Sequence, residues 1–420
     1  MQLTPQNKLN KYVYYLINTL VVSFFLTVLT FKKGYSYATI TLGAIGLIYL
    51  LILLFKRKSK SKPDYDDKLF IMAFFTYFMT FALSAIIHKG GFKEIDNPGR
   101  VLLFLTLLLL FRHFPLNIKL IFHAIPIGSA FLGILASYQK FYLGLEKPFP
   151  GQMIIQAGDM AIAIATFSFA ITFYFLDKKN HKLAVLYLAC SLLGMLASAL
   201  TGARGGWVGL PFILALIIFF YRKSLNKKIS FVIFLIIISS MLAIGMNSNT
   251  GVISRYYEAK SDITRYLNEK DKVSSIGARL DMWTNALVAI NEKPILGWGK
   301  LGYEEFQNKR VSTGDMSIYT ARFNSLHNQY LENLVKRGII GFIGLLLIIY
   351  IPLRLFIKEL NNQNTEIKCI SILGFVHIIS HLFFFLTQTF LAHTSGISFY
   401  TFLIMLFYSM CKQLKRQETV

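Results

Sequence analysis

The chain has 420 residues, of which 55% are hydrophobic and only 15% are charged. Soluble proteins carry about 25% charged residues, so the composition excludes an ordinary soluble domain. The apolar residues form blocks of roughly 17–25 residues, the length that crosses a hydrocarbon core of about 30 Å. The formal net charge is +23. Because most of the excess basic residues lie in short segments between apolar blocks, the charge indicates membrane topology rather than nucleic-acid binding.

The apolar blocks predict an all-α polytopic membrane protein with about twelve transmembrane helices. No small-residue cleavage site follows the first block, so we interpret that block as a retained helix and not as a signal peptide. The fourth and fifth blocks are separated only by a few residues around Arg112 and Pro115, so a re-entrant pair is an alternative there. The predicted spans are 12–31, 36–55, 69–87, 101–116, 118–138, 158–176, 183–201, 205–221, 230–246, 338–357, 367–388 and 395–411.

The basic residues predict the orientation of these spans. Segment 56–68 (KRKSKSKPDYDDK) and the later segments near 178–182, 222–228 and 354–358 are rich in Lys and Arg. The short segments on the opposite side are poorer in both. Basic loops stay in the cytoplasm, so we predict that both termini are cytoplasmic, which agrees with an even number of spans.

The spans divide the chain into three predicted parts. Residues 1–246 form a membrane domain with the first nine spans, and residues 338–420 form a membrane domain with the last three. Between them, residues 247–337 form the one long hydrophilic stretch, which falls on the outward side. This stretch mixes acidic and basic residues, a pattern typical of a folded, solvated insertion.

Two helices are predicted inside the hydrophilic stretch. The first has an apolar stripe at steps of three and four residues and ends before the turn at 294–299 (PILGWG). The second begins near Ser325 and stops at Gly338. The stripe of the first helix consists of Ile276, Leu280, Trp283, Leu287 and Ile290.

Three motifs whose residues are suited to binding or catalysis fall on the outward side. The first, at 201–207 (TGARGGW), forms the tight turn between two spans. The second, at 277–283 (GARLDMW), opens the first predicted loop helix. The third, at 325–331 (SLHNQYL), opens the second one.

The arginines of the first two motifs are candidate anion-binding residues. Arg204 sits at a membrane boundary, where a charge is costly unless it snorkels or serves a function, and Gly205 and Gly206 beside it would let a ligand approach the backbone. Arg279 is predicted in the first turn of its helix, the end that favours anions. A guanidinium clamps a diphosphate through paired hydrogen bonds. The alternatives are pairing of Arg204 with lipid phosphate and a surface ion pair between Arg279 and Asp281.

His327 in the third motif is a candidate general base. On the predicted helix it shares an inward face with Tyr330 and Leu331, where it can take a proton from a sugar hydroxyl near neutral pH. The alternative is a hydrogen-bonded core histidine. Asn328 and Tyr330 either orient His327 or bind sugar, or they cap and pack the helix.

The remaining polar residues favour structural roles. His377 and His381 lie four residues apart inside a span, where intramembrane packing is a better interpretation than metal binding. The cysteines, Cys190, Cys369 and Cys411, show no metal-ligand spacing and are interpreted as small buried hydrophobes. The three tryptophans all lie in outward segments and either anchor the interface or stack on sugar rings. Because the sequence lacks a Gly-rich phosphate loop, a paired Asp motif and an HExxH motif, we predict no ATP, metal or other cofactor.

Taken together, these features resemble the O-antigen ligase and polymerase superfamily. The resemblance consists of an outward arginine after the seventh span and a long loop between the ninth and tenth spans, with the GARLDMW, PILGWG and HNQYL motifs in that order. It implies a Gram-negative inner-membrane glycosyltransferase with a periplasmic site. The implied donor is a glycan on undecaprenyl diphosphate and the implied acceptor is lipid A–core oligosaccharide. Both are membrane lipids, nucleic acid is not a partner, and no metal or nucleotide is required.

The resemblance also implies roles for individual residues. Arg204 and Arg279 would hold the diphosphate and stabilise its charge as the bond breaks. His327 would act as base on the acceptor hydroxyl, and direct attack would invert the anomeric centre because no carboxylate pair is placed for a covalent intermediate. Arg322 would support the phosphates.

Three alternatives remain at this stage. The chain could be an O-antigen polymerase, which joins lipid-linked glycans to one another. Relatives that transfer glycans to protein usually carry a further periplasmic domain, whereas this chain ends at Val420 soon after its last span. A transporter or flippase of lipid-linked glycans would be expected to have two matching halves, and the halves of this sequence do not match.

Overall fold

The computed structural model describes residues 8–55, 63–203, 205–223, 252–269 and 271–418, together with the single positions 232, 235 and 239. Across these residues the chain is helical and contains no β-strand, which confirms the predicted all-α class. Arg204 and most of the predicted ninth span, 230–246, lie outside the described residues.

Outside 230–246, the helices of the membrane part overlap the predicted spans, although several begin or end some residues away from the predicted bounds. Eight of the described helices have the length and apolar composition to cross a membrane, and Gly205–Tyr221 is a shorter apolar helix. The fourth and fifth blocks form two separate helices joined by a short turn. The helices are α1 (Lys8–Thr27), α2 (Gly34–Phe55), α3 (Tyr65–Ile87), α4 (Lys93–His113), α5 (Ile118–Ser137), α6 (Ile154–Asp177), α7 (His181–Thr201), α8 (Gly205–Tyr221), α13 (Gln329–Ile357), α14 (Thr365–Thr387) and α15 (Thr394–Glu418).

Helices α6 and α15 lie at the centre of this bundle. In their most apolar stretches, 89% of the residues of α6 and 94% of those of α15 are buried, against 28% for α2. Helix α6 packs against α5, α7, α8 and α14, so little of its surface is left for lipid. Polar residues on α6 therefore face protein and not lipid.

One end of the bundle carries a network of ion pairs. Asp67 of α3 is buried, accepts a 2.7 Å hydrogen bond from the hydroxyl of Tyr408, and lies 3.6 Å from Arg112. Asp64 caps α3 and also binds Lys412 at 2.5 Å. Several basic residues of the predicted cytoplasmic side are thus held by acids between helix ends.

The hydrophilic stretch folds over the opposite end of the bundle, as its own helical layer. It contains α9 (Val252–Glu269), α10 (Ser275–Glu292), α11 (Gly299–Ser312) and α12 (Ile318–Ala321). Its small core consists of Met282, Ala286, Ala289, Tyr303, Phe306, Met316, Leu326 and Val335. Because Leu326 belongs to this core, the residues before α13 are anchored in the loop layer.

The buried face of α10 differs from the predicted apolar stripe. Leu287, a member of that stripe, is 55% exposed, whereas Asp281 and Asn285 are buried. Asp281 is held by a 2.9 Å ion pair with Lys272, and Asn285 accepts a 2.9 Å hydrogen bond from Arg310. Trp283 and Ile290 of the predicted stripe do pack against the core of the loop layer, so the stripe is confirmed in part. The buried face also includes satisfied polar groups, which an apolar period does not detect.

Helix α13 joins the loop layer to the membrane part through a break at Gly338. The backbone there has φ +59°, which favours glycine, and a Cβ would lie 2.1 Å from the carbonyl oxygen of Ile295. The PILGWG turn packs onto the break, since Ile339 donates to Pro294 and Trp298 donates to Val335, both at 2.8 Å. The helix that we predicted to end at Gly338 thus continues, after the break, as a span.

Candidate functional site

His327 lies in a loop and not on the helix that follows it. Helix α13 begins at Gln329, and the side chain of Asn328 accepts hydrogen bonds from the backbone N–H groups of Tyr330 and Leu331. An asparagine cap of this kind is a strong helix start. The prediction that His327 shares a helical face with Tyr330 and Leu331 is therefore wrong, because the Asn328 cap marks the start of the helix and His327 precedes it.

The loop before α13 is held by hydrogen bonds on both sides. The N–H of Leu326 donates to Glu332 at 2.9 Å, and the Leu326 carbonyl accepts from the indole of Trp283 at 2.8 Å. The hydroxyl groups of Ser325 and Thr389 lie 2.5 Å apart. His327 itself has φ +49°, a conformation that costs a non-glycine residue about 1 kcal/mol or more. These hydrogen bonds hold the backbone in that conformation.

The imidazole of His327 is oriented by Gln388, which follows the last residue of α14. Nδ1 of His327 lies 2.7 Å from Oε1 of Gln388. An amide oxygen only accepts hydrogen bonds, so Nδ1 carries the proton and Nε2 is left as the basic nitrogen. Burial of the ring lowers the pKa of His327, and the charge of Arg279 lowers it further, against the opposing effects of Gln388 and Glu332. The ring is therefore neutral at physiological pH and able to accept a proton.

Arg279 lies half-buried on α10, close to His327. Its charge acts on His327 and also on Asp159 of α6. Helix α10 is capped by Ser274 and begins at Ser275, so Arg279 lies at the start of the second turn and not in the first turn as predicted. The Asp281 carboxylate, its suggested surface partner, is buried and accepts from Lys272 and Thr320.

The turn at 201–207 meets the same region. Arg204 is outside the described residues, but its neighbours fix the surroundings of the turn. A Cβ at Gly205 would lie 2.3 Å from the Thr387 hydroxyl, and one at Gly206 would lie 3.1 Å from Oδ1 of Asp159. The glycines thus allow close packing of α8 against α6 and α14. The expectation that they open the backbone to a ligand is wrong, because protein atoms fill that space.

Sequence reasoning missed Asp159. This residue of α6 is fully buried beside the turn, and within the described part of the chain its carboxylate makes no side-chain hydrogen bond. An acid inside an apolar span is costly and marks functional sites, and this signal could have identified Asp159 from the sequence. Gln388 and Glu332 were also missed, and a polar residue at the end of a span carries no comparable signal.

The supporting candidates prove to have mainly structural contacts. Asn328 caps α13, and the hydroxyl of Tyr330 donates to the carbonyl of Leu382 at 3.0 Å, so capping and packing account for both. Arg322 is exposed at the end of α12. The indole groups of Trp283 and Trp298 donate to backbone carbonyls.

The remaining polar groups in the membrane behave as predicted. His377 is buried and hydrogen-bonds the carbonyl of Tyr400 at 3.0 Å, while His381 hydrogen-bonds the carbonyl of His377 at 2.7 Å. The three cysteines are buried. In the described ranges, no group of three His, Cys, Asp or Glu residues is placed to hold a metal ion.

Residues 189–346 match a protein family described as O-antigen ligase. The match spans the turn at 201–207, Arg279 and His327. Over 176 residues, 41% of each chain, the sequence is also 30% identical to an O-antigen ligase of Escherichia coli. This central part of the chain belongs to the O-antigen ligase superfamily. A protein of Haemophilus influenzae, described as uncharacterized, is 50% identical over 390 residues, which cover 93% of this chain and 97% of that protein.

Membership gives the general function. The chain is a membrane protein with a function of the O-antigen ligase and polymerase type. The segment matched by the family includes Arg279 and His327 but not Asp159 or Gln388.

Proposed function

We propose that this chain transfers an O-antigen glycan from undecaprenyl diphosphate to lipid A–core oligosaccharide at the periplasmic face of the inner membrane. The observation that carries the proposal is the meeting of Arg279, His327 and the turn at 201–207 at one end of the bundle. A guanidinium group and a neutral imidazole are the groups that this reaction needs, one for the leaving group and one for the acceptor.

In this proposal His327 acts on the acceptor. Its unprotonated Nε2 takes the proton of a sugar hydroxyl while the hydroxyl oxygen attacks the anomeric carbon of the donor glycan. The bond between that carbon and the diphosphate oxygen breaks, and undecaprenyl diphosphate leaves with the bonding electron pair. Attack from the opposite side inverts the anomeric centre.

Arg279 and Arg204 act on the donor. Both would bind the diphosphate and balance the charge that grows on it as the bond breaks. Arg279 also lies close enough to His327 to disfavour the protonated ring, so the same cation keeps the base in its active form. Because the diphosphate is already a good leaving group, the proposed reaction uses neither ATP nor a metal ion.

The position of the site suits two lipid-linked substrates. The site lies at the ends of α6 and α14, away from the network around Asp67 at the other end of the bundle. The basic loops predict that the Asp67 end is cytoplasmic, so we expect the site at the periplasmic surface. A lateral opening would admit both lipids from the outer leaflet.

A reconstitution experiment tests the proposal. The purified chain is placed in proteoliposomes with glycan-linked undecaprenyl diphosphate and lipid A–core, and products are resolved by mass spectrometry. We expect glycan joined to core with the wild type, none with His327→Ala, and a normal yield with His181→Ala, which changes an exposed histidine at the start of α7. Growth of donor on donor would show a polymerase instead, and donor movement without bond formation would show a flippase.

A further inference from the structure

We propose that Gln388 and His393 are positioning residues for His327 and form with it a hydrogen-bonded chain that leaves Nε2 of His327 unprotonated. This inference rests on the proposed role of His327 as the base. It adds two residues that lie outside the segment matched by the O-antigen ligase family, which ends at 346.

The chain of hydrogen bonds runs through one side-chain amide. Oε1 of Gln388 lies 2.7 Å from Nδ1 of His327, and Nε2 of Gln388 lies 3.3 Å from Nε2 of His393. The same Nε2 lies 3.2 Å from the sulfur of Met153. The amide thus uses its acceptor on one histidine and its two donors on the other histidine and the thioether.

The sulfur of Met153 decides which way the amide points. A thioether accepts weak hydrogen bonds and donates none, so it matches the amide NH₂ and not the amide oxygen. In the reversed orientation the oxygen would face the sulfur, and His327 would have to accept through Nδ1, which would put its proton on Nε2. The observed arrangement therefore favours the tautomer that a general base needs.

The charged and titratable groups that face His327 explain why an amide suits this position. Arg279 approaches from α10, Glu332 from α13 and His393 from the segment after α14. Burial lowers the pKa of His393, and the neighbouring His327 lowers it further, so both rings are neutral together. A carboxylate in place of Gln388 would raise the pKa of His327 and repel the diphosphate of the donor. A neutral amide orients the base without either effect.

Nuclear magnetic resonance tests the hydrogen-bonded chain without measuring glycan transfer. The full-length protein is labelled with ¹⁵N-histidine in nanodiscs, and the His327→Gln variant identifies the signals of His327. We expect the Nδ1–H tautomer in the wild type, a loss of that preference in Gln388→Leu, and its retention in Gln388→Glu with the pKa of His327 raised by about one unit. An unchanged tautomer and pKa in Gln388→Leu would overturn the proposal.

Kinetics provide the second readout. Gln388→Leu should lower kcat by about 10- to 100-fold, as loss of a group that orients a ligand or base does, with little change in the KM for donor. Gln388→Glu should recover kcat at high pH while raising the donor KM. The control is Gln413→Leu, which removes two hydrogen bonds to the Leu116 backbone at the other end of the bundle and should leave kcat unchanged.

The two histidines are separated by further variants. His393→Leu removes the acceptor for the Gln388 amide and should lower kcat, while His393→Asn supplies an amide oxygen and should restore most of it. Equal kcat in both variants would show that His393 is not part of the hydrogen-bonded chain. Normal transfer by His327→Ala would refute the base role itself, whereas the tautomer measurement would still report whether the three side chains are coupled.

Discussion

The indole N–H of Trp283 donates a 2.8 Å hydrogen bond to the carbonyl oxygen of Leu326, the residue before His327. Trp283 lies one helical turn after Arg279 on α10. The bond therefore ties the helix that carries the candidate diphosphate-binding arginine to the loop that carries the candidate base. We therefore expect the position of α10 to affect the backbone next to His327.

Loss of this bond should affect turnover more than stability. Trp283→Phe keeps the apolar ring but removes the donor, and a single neutral hydrogen bond contributes about 1 kcal/mol. We expect a small fall in Tm and a fall in kcat of about 10-fold because the loop can leave its reactive position. Trp298→Phe is the matched control, since it removes a 2.8 Å bond to the Ala289 carbonyl. An equal fall in kcat for both variants would contradict the coupling.

Arg279 should not tolerate replacement by lysine. The ammonium group keeps the charge but loses the two parallel donors that grip a diphosphate. Arg279→Lys and Arg279→Ala should both reduce transfer by about 100-fold or more, the scale of losing a donor to a developing anion, as measured by product yield at limiting donor. Arg310→Lys, which changes an arginine bound to Asn285 and Asp315 in the loop layer, should retain transfer. Near-normal yield with Arg279→Lys would argue against bidentate binding.

A methyl group at Gly205 should disturb the site by pushing Thr387 away. Its Cβ would lie 2.3 Å from the Thr387 hydroxyl, and Thr387 directly precedes Gln388. Gly205→Ala should therefore lower both Tm and kcat. Adding Thr387→Ala removes the clashing atom and should restore much of each. The double-mutant cycle measures this coupling, and simple additivity of the two single changes would show that the contact has no effect on the site.

Replacement of the Asp159 carboxyl group should weaken catalysis while sparing the fold. Asp159→Asn keeps the size of a fully buried side chain but removes the carboxyl group that interacts electrostatically with Arg279. We expect transfer to fall by about 10-fold, or roughly 1.4 kcal/mol in barrier height, because the electrostatic environment of Arg279 changes. Asp67→Asn, at the opposite end of the bundle, should cost stability and not activity. Wild-type transfer by Asp159→Asn would assign the carboxylate to structure alone.

The pH profile should report the environment of His327. The base must be neutral, so activity falls when pH drops below its pKa. Burial and Arg279 lower that pKa. As the pH is reduced, kcat/KM should therefore begin to fall only at a pH below about 6.5, the ordinary pKa of histidine. Removing the positive charge in Arg279→Gln should raise the pKa of His327. Because this variant is expected to transfer poorly, the pKa is measured from the ¹⁵N-histidine resonances. A downward shift would contradict the proximity of the two residues.

The number and order of the spans were predictable because they depend on the length and composition of the apolar blocks. The spans follow from apolar length, and the described helices begin and end near the predicted residues. The boundary at Gly338 was also recognisable, since only a residue without a side chain fits its backbone against Ile295. The class of protein and its layout could thus be inferred before any coordinates.

The details of the site were less predictable because they depend on contacts between distant residues. The periodicity of the third motif suggested a helix through His327, but the Asn328 cap shortens it. The partner of His327 is Gln388, which lies 61 positions later, and nothing in its local sequence marks it. Glycines 205 and 206 were interpreted as ligand-facing because their packing against Thr387 and Asp159 is a tertiary property.

The bond between His327 and Gln388 also has a consequence for biogenesis. Gln388 follows α14 and lies 61 positions after His327, so this contact cannot form until α14 has been synthesised. The imidazole therefore acquires its fixed orientation late in the synthesis of the chain, after the loop layer that carries it.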